Sequence, residues 1–361
     1  MVSTLFVKKI ARAGASRVES AVGRLYPMDR TLEAMRLRPY ELHFELTNLC
    51  NANCIFCPYQ FQQREHERMP EAVFEKALGD YVAEGGGSVF FTPIVGDALI
   101  HPQVLDFIAR ARSQDRIDRI KMITNAILAD RYGAEAIVNS GLTTLQFSIA
   151  GFDEAMYERV YRSKQYRRVR RNILDLLEAN RAAGSPVNMV IGLRPDRPLD
   201  EVMAHPDFQD VLAYKPYLDF TWSFTTAGGR ITREMLPDAM KLRHSPPKKE
   251  ACVNSVNGPI VLPDGTVLIC SCVAAIDAID ELKIGNVTEQ ALGDIWRGEQ
   301  VRRFHESFGT DRLNAVCVKC DMYRNLDLYR RREGRERAQI NRDRAAGRIV
   351  RREREIGLHG G

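Results

Sequence analysis

Glu41-Leu-His-Phe-Glu-Leu-Thr47 runs into Asn48-Leu-Cys50-Asn-Ala-Asn-Cys54-Ile-Phe-Cys57, and the reading of this junction decides the fold. In the first half Leu42, Phe44 and Leu46 alternate with His43, Glu45 and Thr47, the period of two that predicts a strand. The three thiols that follow therefore sit in the loop at that strand's C-terminal end. Thiolates are soft ligands that suit zinc or iron–sulfur clusters. A structural zinc wants four ligands closing a tetrahedron. This loop supplies three, and the next cysteine, Cys252, lies almost two hundred residues on. A [4Fe–4S] cluster held by three cysteines keeps one iron open to a non-protein ligand, whereas zinc would need a distant fourth donor.

Outward from the junction, strands and helices alternate. Residues 70–87 open with proline and end in glycines, the start and stop of a helix. Strand 88–93, helix 101–113, strand 119–125, a helix near 130–140 and strand 143–149 follow. Helices over 153–183, strand 186–193, a helix near 199–213 and strand 217–224 complete the series. Six strands alternating with helices predict a parallel α/β sheet, open or curled into a partial barrel. Such a sheet carries its chemistry at the C-terminal ends of its strands.

The rhythm changes after residue 225. Residues 258–272 read as a β-hairpin turning at Pro263-Asp264-Gly265, and a helix near 288–307 carries Trp296 before Cys317-Val-Lys-Cys320. The boundaries expected are an N-terminal helical segment over 1–40, the main sheet over 41–244, a smaller domain over 245–325 and a charged helical tail over 326–361. Val7, Ile10, Val18, Val22 and Leu25 fall on one helical face, which predicts a helix packed on the domain. The tail is expected to be solvated or loosely docked.

Charge and composition exclude several classes. The formal net charge is +5, but twelve arginines against six acids between Arg324 and Glu355 account for it, leaving the body at 40 basic and 41 acidic residues. A nearly neutral body offers no case for a nucleic-acid surface. Mean hydropathy is −0.29, and no apolar run approaches the length of a membrane span. The N-terminus lacks the apolar core of a secretory signal, so a cytoplasmic protein is expected. In that reducing compartment, cysteine clusters mean metal or catalysis more often than disulfides.

The Cys50-x3-Cys54-x2-Cys57 loop after the first strand resembles the signature of the radical S-adenosylmethionine (SAM) superfamily. The resemblance implies a partial (β/α)6 TIM barrel whose open iron binds SAM and whose reduced cluster cleaves it to a 5′-deoxyadenosyl radical. Phe56 matches the family's aromatic near the adenine. Ile94-Val-Gly96-Asp97-Ala-Leu-Ile-His-Pro102 looks like the Gly-Gly-Glu-Pro segment at the methionine amino group, with Asp97 for Glu, Ala98 for Pro and Val95 for Gly. Thr124-Asn125-Ala126 resembles Thr-Asn-Gly, and Ser148-Ile-Ala-Gly151 resembles Ser-Ile-Asp-Gly, both near the ribose. Arg194, after the fifth strand, is either a partner of the SAM carboxylate or a surface arginine.

Cys252, Cys270, Cys317 and Cys320 resemble the C-terminal SPASM/twitch extension, in the twitch form holding one auxiliary [4Fe–4S] cluster. Structural zinc is the alternative for these four thiolates. Cys272 is left over; it is a small buried residue or a thiol that returns hydrogen to a substrate radical. The spacing looks like that of a twitch aminocyclitol dehydrogenase of secondary metabolism. This implies an oxidoreductase acting on a sugar, aminocyclitol or polyol, with a one-electron donor such as flavodoxin or ferredoxin as partner. Cys272 argues instead for an epimerase. Peptide maturation, glycyl-radical activation and a non-enzymatic zinc protein are further readings. A peptide maturase is expected to carry a leader-binding domain, and about forty residues precede the first strand, few for such a domain. His43, Glu45, Tyr59 and Trp222 lie on or beside strands, lining a pocket or serving ordinary packing.

Overall fold

A computed structural model describes residues 28–91, 94–270, 279–326, 329 and 332–348. Six strands lie parallel in sequence order: β1 (Glu41–Phe44), β2 (Gly87–Phe91), β3 (Ile117–Thr124), β4 (Thr144–Ile149), β5 (Asn188–Leu193) and β6 (Tyr217–Phe220). Helices return the chain between them, as in a partial TIM barrel. A two-residue pair, β7 (Ser223–Phe224) and β8 (Lys241–Leu242), stands apart. The expected hairpin forms from β9 (Ile260–Val261) and β10 (Thr266–Leu268), with β11 (Lys283–Asn286) beside it. Its placement was not expected. β9 pairs in parallel with β1, His43 opposite Ile260, so one sheet runs β11-β10-β9-β1-β2-β3-β4-β5-β6 through both parts of the chain.

Alternation on the strands divides the sheet into two faces. Phe44 and Phe91 project to the helix side and meet Phe74 of the Glu71–Ala83 helix, which stacks on Phe107 at 4.2 Å. All four phenylalanines are fully buried, each contributing on the order of 2–3 kcal/mol by burial. The same alternation turns His43, Phe90, Gln146, Ser148, Gly192 and Asp219 to the lumen. Among the described residues no helix is long and apolar enough to cross a membrane.

The charged tail is the main correction. Its Arg332–Ala345 helix is neither solvated nor loosely held; it packs against the Met28–Arg36 helix with Arg337, Ala338, Asn341 and Arg344 buried. Asn341 donates to the carbonyls of Ala34 and Arg38 at 2.8 and 3.0 Å and accepts from Arg38 at 2.8 Å. Arg344 pairs with Asp118 at the start of β3, 2.7 Å away, so the tail closes one side of the barrel's N-terminal end. A composition of arginines reads as solvated only until their buried partners are seen. The helix expected along Val7–Leu25 lies outside the described residues.

The same seam holds a buried histidine. His305 Nε2 donates to the Ser255 carbonyl at 3.0 Å while Nδ1 accepts from Arg36 Nε at 3.4 Å, which fixes the neutral ring. Burial pushes its pKa down to about 4. Between roughly pH 6.5 and 4 the unfolded chain binds a proton that the folded one refuses, so stability falls as pH drops through that window. The expected loss is on the order of 3 kcal/mol. Urea unfolding at pH 7 and pH 4.5 measures it, and His305→Gln is expected to flatten the difference.

Candidate functional site

The cysteine loop is fastened before it reaches its first thiol. Thr47 Oγ1 and Asn48 Nδ2 donate to the carbonyls of Glu67 and Glu65, both at 2.6 Å, and Met69 N donates to Leu46 O at 2.8 Å. Gly96, at φ 99°, passes so close beneath that a Cβ there would lie 2.4 Å from the Thr47 carbonyl. Cys54 is buried, Cys50 and Cys57 are half-buried, and all three are free thiols. Cys57 Sγ accepts from Tyr59 N at 3.5 Å and Cys50 Sγ from Asn125 Nδ2 at 3.8 Å, contacts that strengthen if the sulfur is a thiolate. Burial pushes all three thiols up, Cys50 to about 12 with the Asp97 carboxylate adding to the effect. Ionising them therefore needs a cation, and metal loading must release protons.

The residues expected at SAM surround this loop at the strand ends. Phe56 packs on Phe224 at 5.0 Å and edge-on to Tyr161 at 5.8 Å, with the Arg194 guanidinium 5.8 Å from its ring centroid. Arg194 also donates to the Gly192 carbonyl at 2.8 Å, and its charge reaches Cys54 and Cys57. Ser148 Oγ pairs with the Tyr161 hydroxyl at 2.8 Å. Asn125 spans Asn51, Cys50 and the backbone N–H of Ile127. Ala126, where the family pattern has glycine, takes φ 61° all the same, and Asn172 donates to its carbonyl at 2.8 Å.

Two carboxylates turn out to brace the fold. The Asp97 side chain accepts from Thr124 Oγ1, Asn125 N and Leu99 N, tying the end of β2 to the end of β3, and burial raises its pKa. Glu45 is fully buried, pairs with Arg64 at 2.6 Å and accepts from Ile94 N and Val95 N. His43 stacks on Phe90 at 4.8 Å, and Trp222 on Phe220 at 6.5 Å. Tyr59 lines an open cavity of about 500 Å³ with Cys50, His66 and Arg162. Sequence reading missed the hydrogen bond from Gln146 Nε2 to Asp219 Oδ2, 3.3 Å, across Gly192. Its one signal was two polar residues at lumen-facing positions of apolar strands.

Further along the chain, Cys252, Cys270, Cys317 and Cys320 line one small apolar pocket, walled by Leu282, Phe304, Phe308, Val316 and Tyr323. Cys252 Sγ accepts from Arg324 N at 3.4 Å. Burial raises Cys252 and pushes Cys317 up to about 12. Among the described residues no three Cys, His, Asp or Glu side chains crowd together as around one metal ion. Four thiols about one apolar pocket are a donor set that suits an iron–sulfur cluster. Beside Cys320, the buried Asp321 accepts from Thr225 Oγ1 and Thr226 Oγ1, both at 2.7 Å, locking this loop to the segment after Phe224. The two thiol loops are thereby joined through Phe56, Phe224 and Asp321. Cys272 lies outside the described residues.

Residues 44–208, the barrel segment with three thiols at the exit of its first strand, match the family pattern of the radical SAM superfamily. An iron–sulfur cluster-binding domain of the SPASM type matches residues 252–321. Together they imply a SAM-binding [4Fe–4S] cluster and an auxiliary iron–sulfur cluster. The chain is similar to PqqA peptide cyclase of Gluconobacter oxydans, at 25% identity over 313 residues, covering 78% of this chain and 83% of that protein. It is also similar to GTP 3',8-cyclase of Chlorobaculum tepidum, at 24% identity over 132 residues, 37% of this chain and 39% of that protein. It thus spans under half the length of the latter. In fold it resembles Streptococcus suis SuiB bound to S-adenosylmethionine, with TM-score 0.56 and 15% identity over 82% of this chain and 76% of that one. BtrN in complex with AdoMet and 2-DOIA gives TM-score 0.52 and 15% identity over 80% and 93%.

Proposed function

We propose that the chain is a twitch-type radical SAM oxidoreductase that dehydrogenates an alcohol of a small polar metabolite such as a sugar, aminocyclitol or polyol. Cys50, Cys54 and Cys57 would hold the cluster that binds SAM. Bound there, SAM supplies a 5′-deoxyadenosyl radical that removes hydrogen from an unactivated C–H. Phe56 would flank the adenine, Asn125 and Ser148 the ribose, the backbone at Gly96 and Asp97 the methionine amino group, and the Arg194 fork its carboxylate. The open cavity beside Cys50 gives an external one-electron donor such as flavodoxin or ferredoxin an approach to the first loop.

One observation carries the oxidative reading: four thiols, Cys252, Cys270, Cys317 and Cys320, line the second cavity. A cluster with four protein ligands has no vacant iron to bind substrate, which leaves it the role of accepting an electron. The similarity to PqqA peptide cyclase favours a second reading, modification of a ribosomally made peptide. Anaerobic incubation with SAM, a reductant and candidate alcohols tests both. Oxidation is expected to lower product mass by about two units, one hydrogen molecule's worth. Deuterium gained from solvent and abolished by Cys272→Ala would mean epimerisation instead, and a mass change confined to peptides would favour the second reading. A protein that forms no 5′-deoxyadenosine under any of these conditions overturns the radical assignment.

A further inference from the structure

Carboxylates at the barrel lumen differ in what they have left to offer. Glu45 is neutralised by Arg64 and two backbone N–H groups, Asp97 is surrounded by N–H and O–H donors, and Glu41 faces His43 at 3.4 Å. Asp219 is unlike them. It accepts one hydrogen bond, from Gln146 Nε2, and among the described residues no cation pairs with it. Its height in the barrel matters as much. The register aligns Ser148 of β4, Gly192 of β5 and Asp219 of β6 in one row, and Arg194 lies one lumen position higher on β5's exit. Asp219 thus stands level with the residues assigned above to the SAM ribose.

Gly192 makes the contact between Gln146 and Asp219 possible. A Cβ built there would lie 2.8 Å from Gln146 Nε2 and 3.1 Å from an Arg194 nitrogen. Its absence lets the amide of Gln146 reach over the middle strand to Asp219. A half-buried carboxylate, oriented by an amide and level with the residues assigned to the ribose, has the geometry of a general base.

We propose that Asp219 is the base that takes the hydroxyl proton of the alcohol as its carbon is oxidised, with Gln146 as the positioning residue that aims it. This rests on the alcohol-dehydrogenation reading above. The balance is one C–H hydrogen atom to the 5′-deoxyadenosyl radical, one O–H proton to Asp219 and one electron to the auxiliary iron–sulfur cluster. The C–H and O–H bonds break and a C=O bond forms. Removing the proton before the electron leaves makes the radical carbon a far stronger reductant, so the carboxylate and the auxiliary cluster act on the same step.

The test uses the reconstituted full chain, a panel of inositols and aminocyclitols including 2-deoxy-scyllo-inosamine, and two readouts. Product formation is followed under turnover, and calorimetry measures affinity for the same compound with the SAM-loaded, unreduced protein. Asp219→Asn preserves shape and polarity, so affinity is expected to stay within about threefold while product formation falls at least about 100-fold. Asp219→Glu is expected to recover part of the rate. Gln146→Leu, which leaves the carboxylate in place, is expected to cost roughly tenfold in rate. If the wild type oxidises a panel member and Asp219→Asn does so equally fast, the base assignment falls and the dehydrogenation reading stands. A loss of affinity that matches the loss of rate would make Asp219 a binding residue and overturn its role as base. If the wild type oxidises no alcohol yet cleaves SAM, the dehydrogenation reading fails and Asp219's role fails with it.

Discussion

Replacing Cys54 with alanine is expected to abolish 5′-deoxyadenosine formation and to lower bound iron by about four atoms per chain, one [4Fe–4S] cluster's worth. Cys54 is the buried member of the first trio, and its backbone neighbour Ile55 is anchored to Val160 O at 2.9 Å, so no other thiol can swing into its place. Two thiolates cannot hold a cubane that three already leave incomplete. The four cysteines of the second cavity are remote in the chain and are expected to keep their share of the iron. Iron analysis with quantified nucleoside checks this, and a variant that retains both full iron and SAM cleavage would move the reactive cluster elsewhere. Because burial raises all three thiols, reconstitution of the wild type is expected to strengthen as pH rises, each proton lost to solvent helping the metal in.

The second large effect falls on a glycine with no chemical role. A Cβ on Gly258 would lie 1.8 Å from the Glu41 carbonyl oxygen, and backbone cannot step aside as a side chain can. The residues on either side are bonded to β1, Tyr40 N to Asn257 O at 2.9 Å and His43 N to Pro259 O at 3.1 Å. Gly258→Ala must therefore break the β9–β1 pairing or shift it. The expected loss is at least about 3 kcal/mol, at or above the upper end for overpacking. Gly79 supplies the contrast, since it sits in the Glu71–Ala83 helix with nothing within 4 Å of its added Cβ. Gly79→Ala is expected to stabilise by up to about 1 kcal/mol. Urea unfolding of the two variants side by side separates them.

Legibility in the sequence followed the range over which each feature is encoded. The six barrel strands and the hairpin are local patterns, alternation bounded by Gly and Pro, and they stand where that pattern predicts. The trio Cys50, Cys54 and Cys57 is equally local. The choice of partner for the other edge of β1 is not local, because period-two alternation says which face is buried and nothing about which strand lies alongside. Asn341 and Arg344 were hidden for the same reason: their partners, Ala34, Arg38 and Asp118, are more than 200 residues away. Asp97 stands out in the sequence only through the family pattern, and hydrogen bonds from Thr124, Asn125 and Leu99 reveal that its carboxylate serves the scaffold. The Gln146–Asp219 bond depends on the emptiness at Gly192, which no pattern of side chains announces.

Because β1 precedes every other described strand yet occupies the interior of the finished sheet, the nascent chain must wait for its second neighbour. β2 emerges within some fifty residues, but β9 is more than two hundred residues behind. Throughout that interval a row of unsatisfied amides and carbonyls is exposed next to three reactive sulfurs. Synthesis at about 5–20 residues per second makes the interval tens of seconds. Slow translation, or a nascent chain stalled ahead of residue 260, is therefore the condition under which this protein is most prone to strand-mediated aggregation.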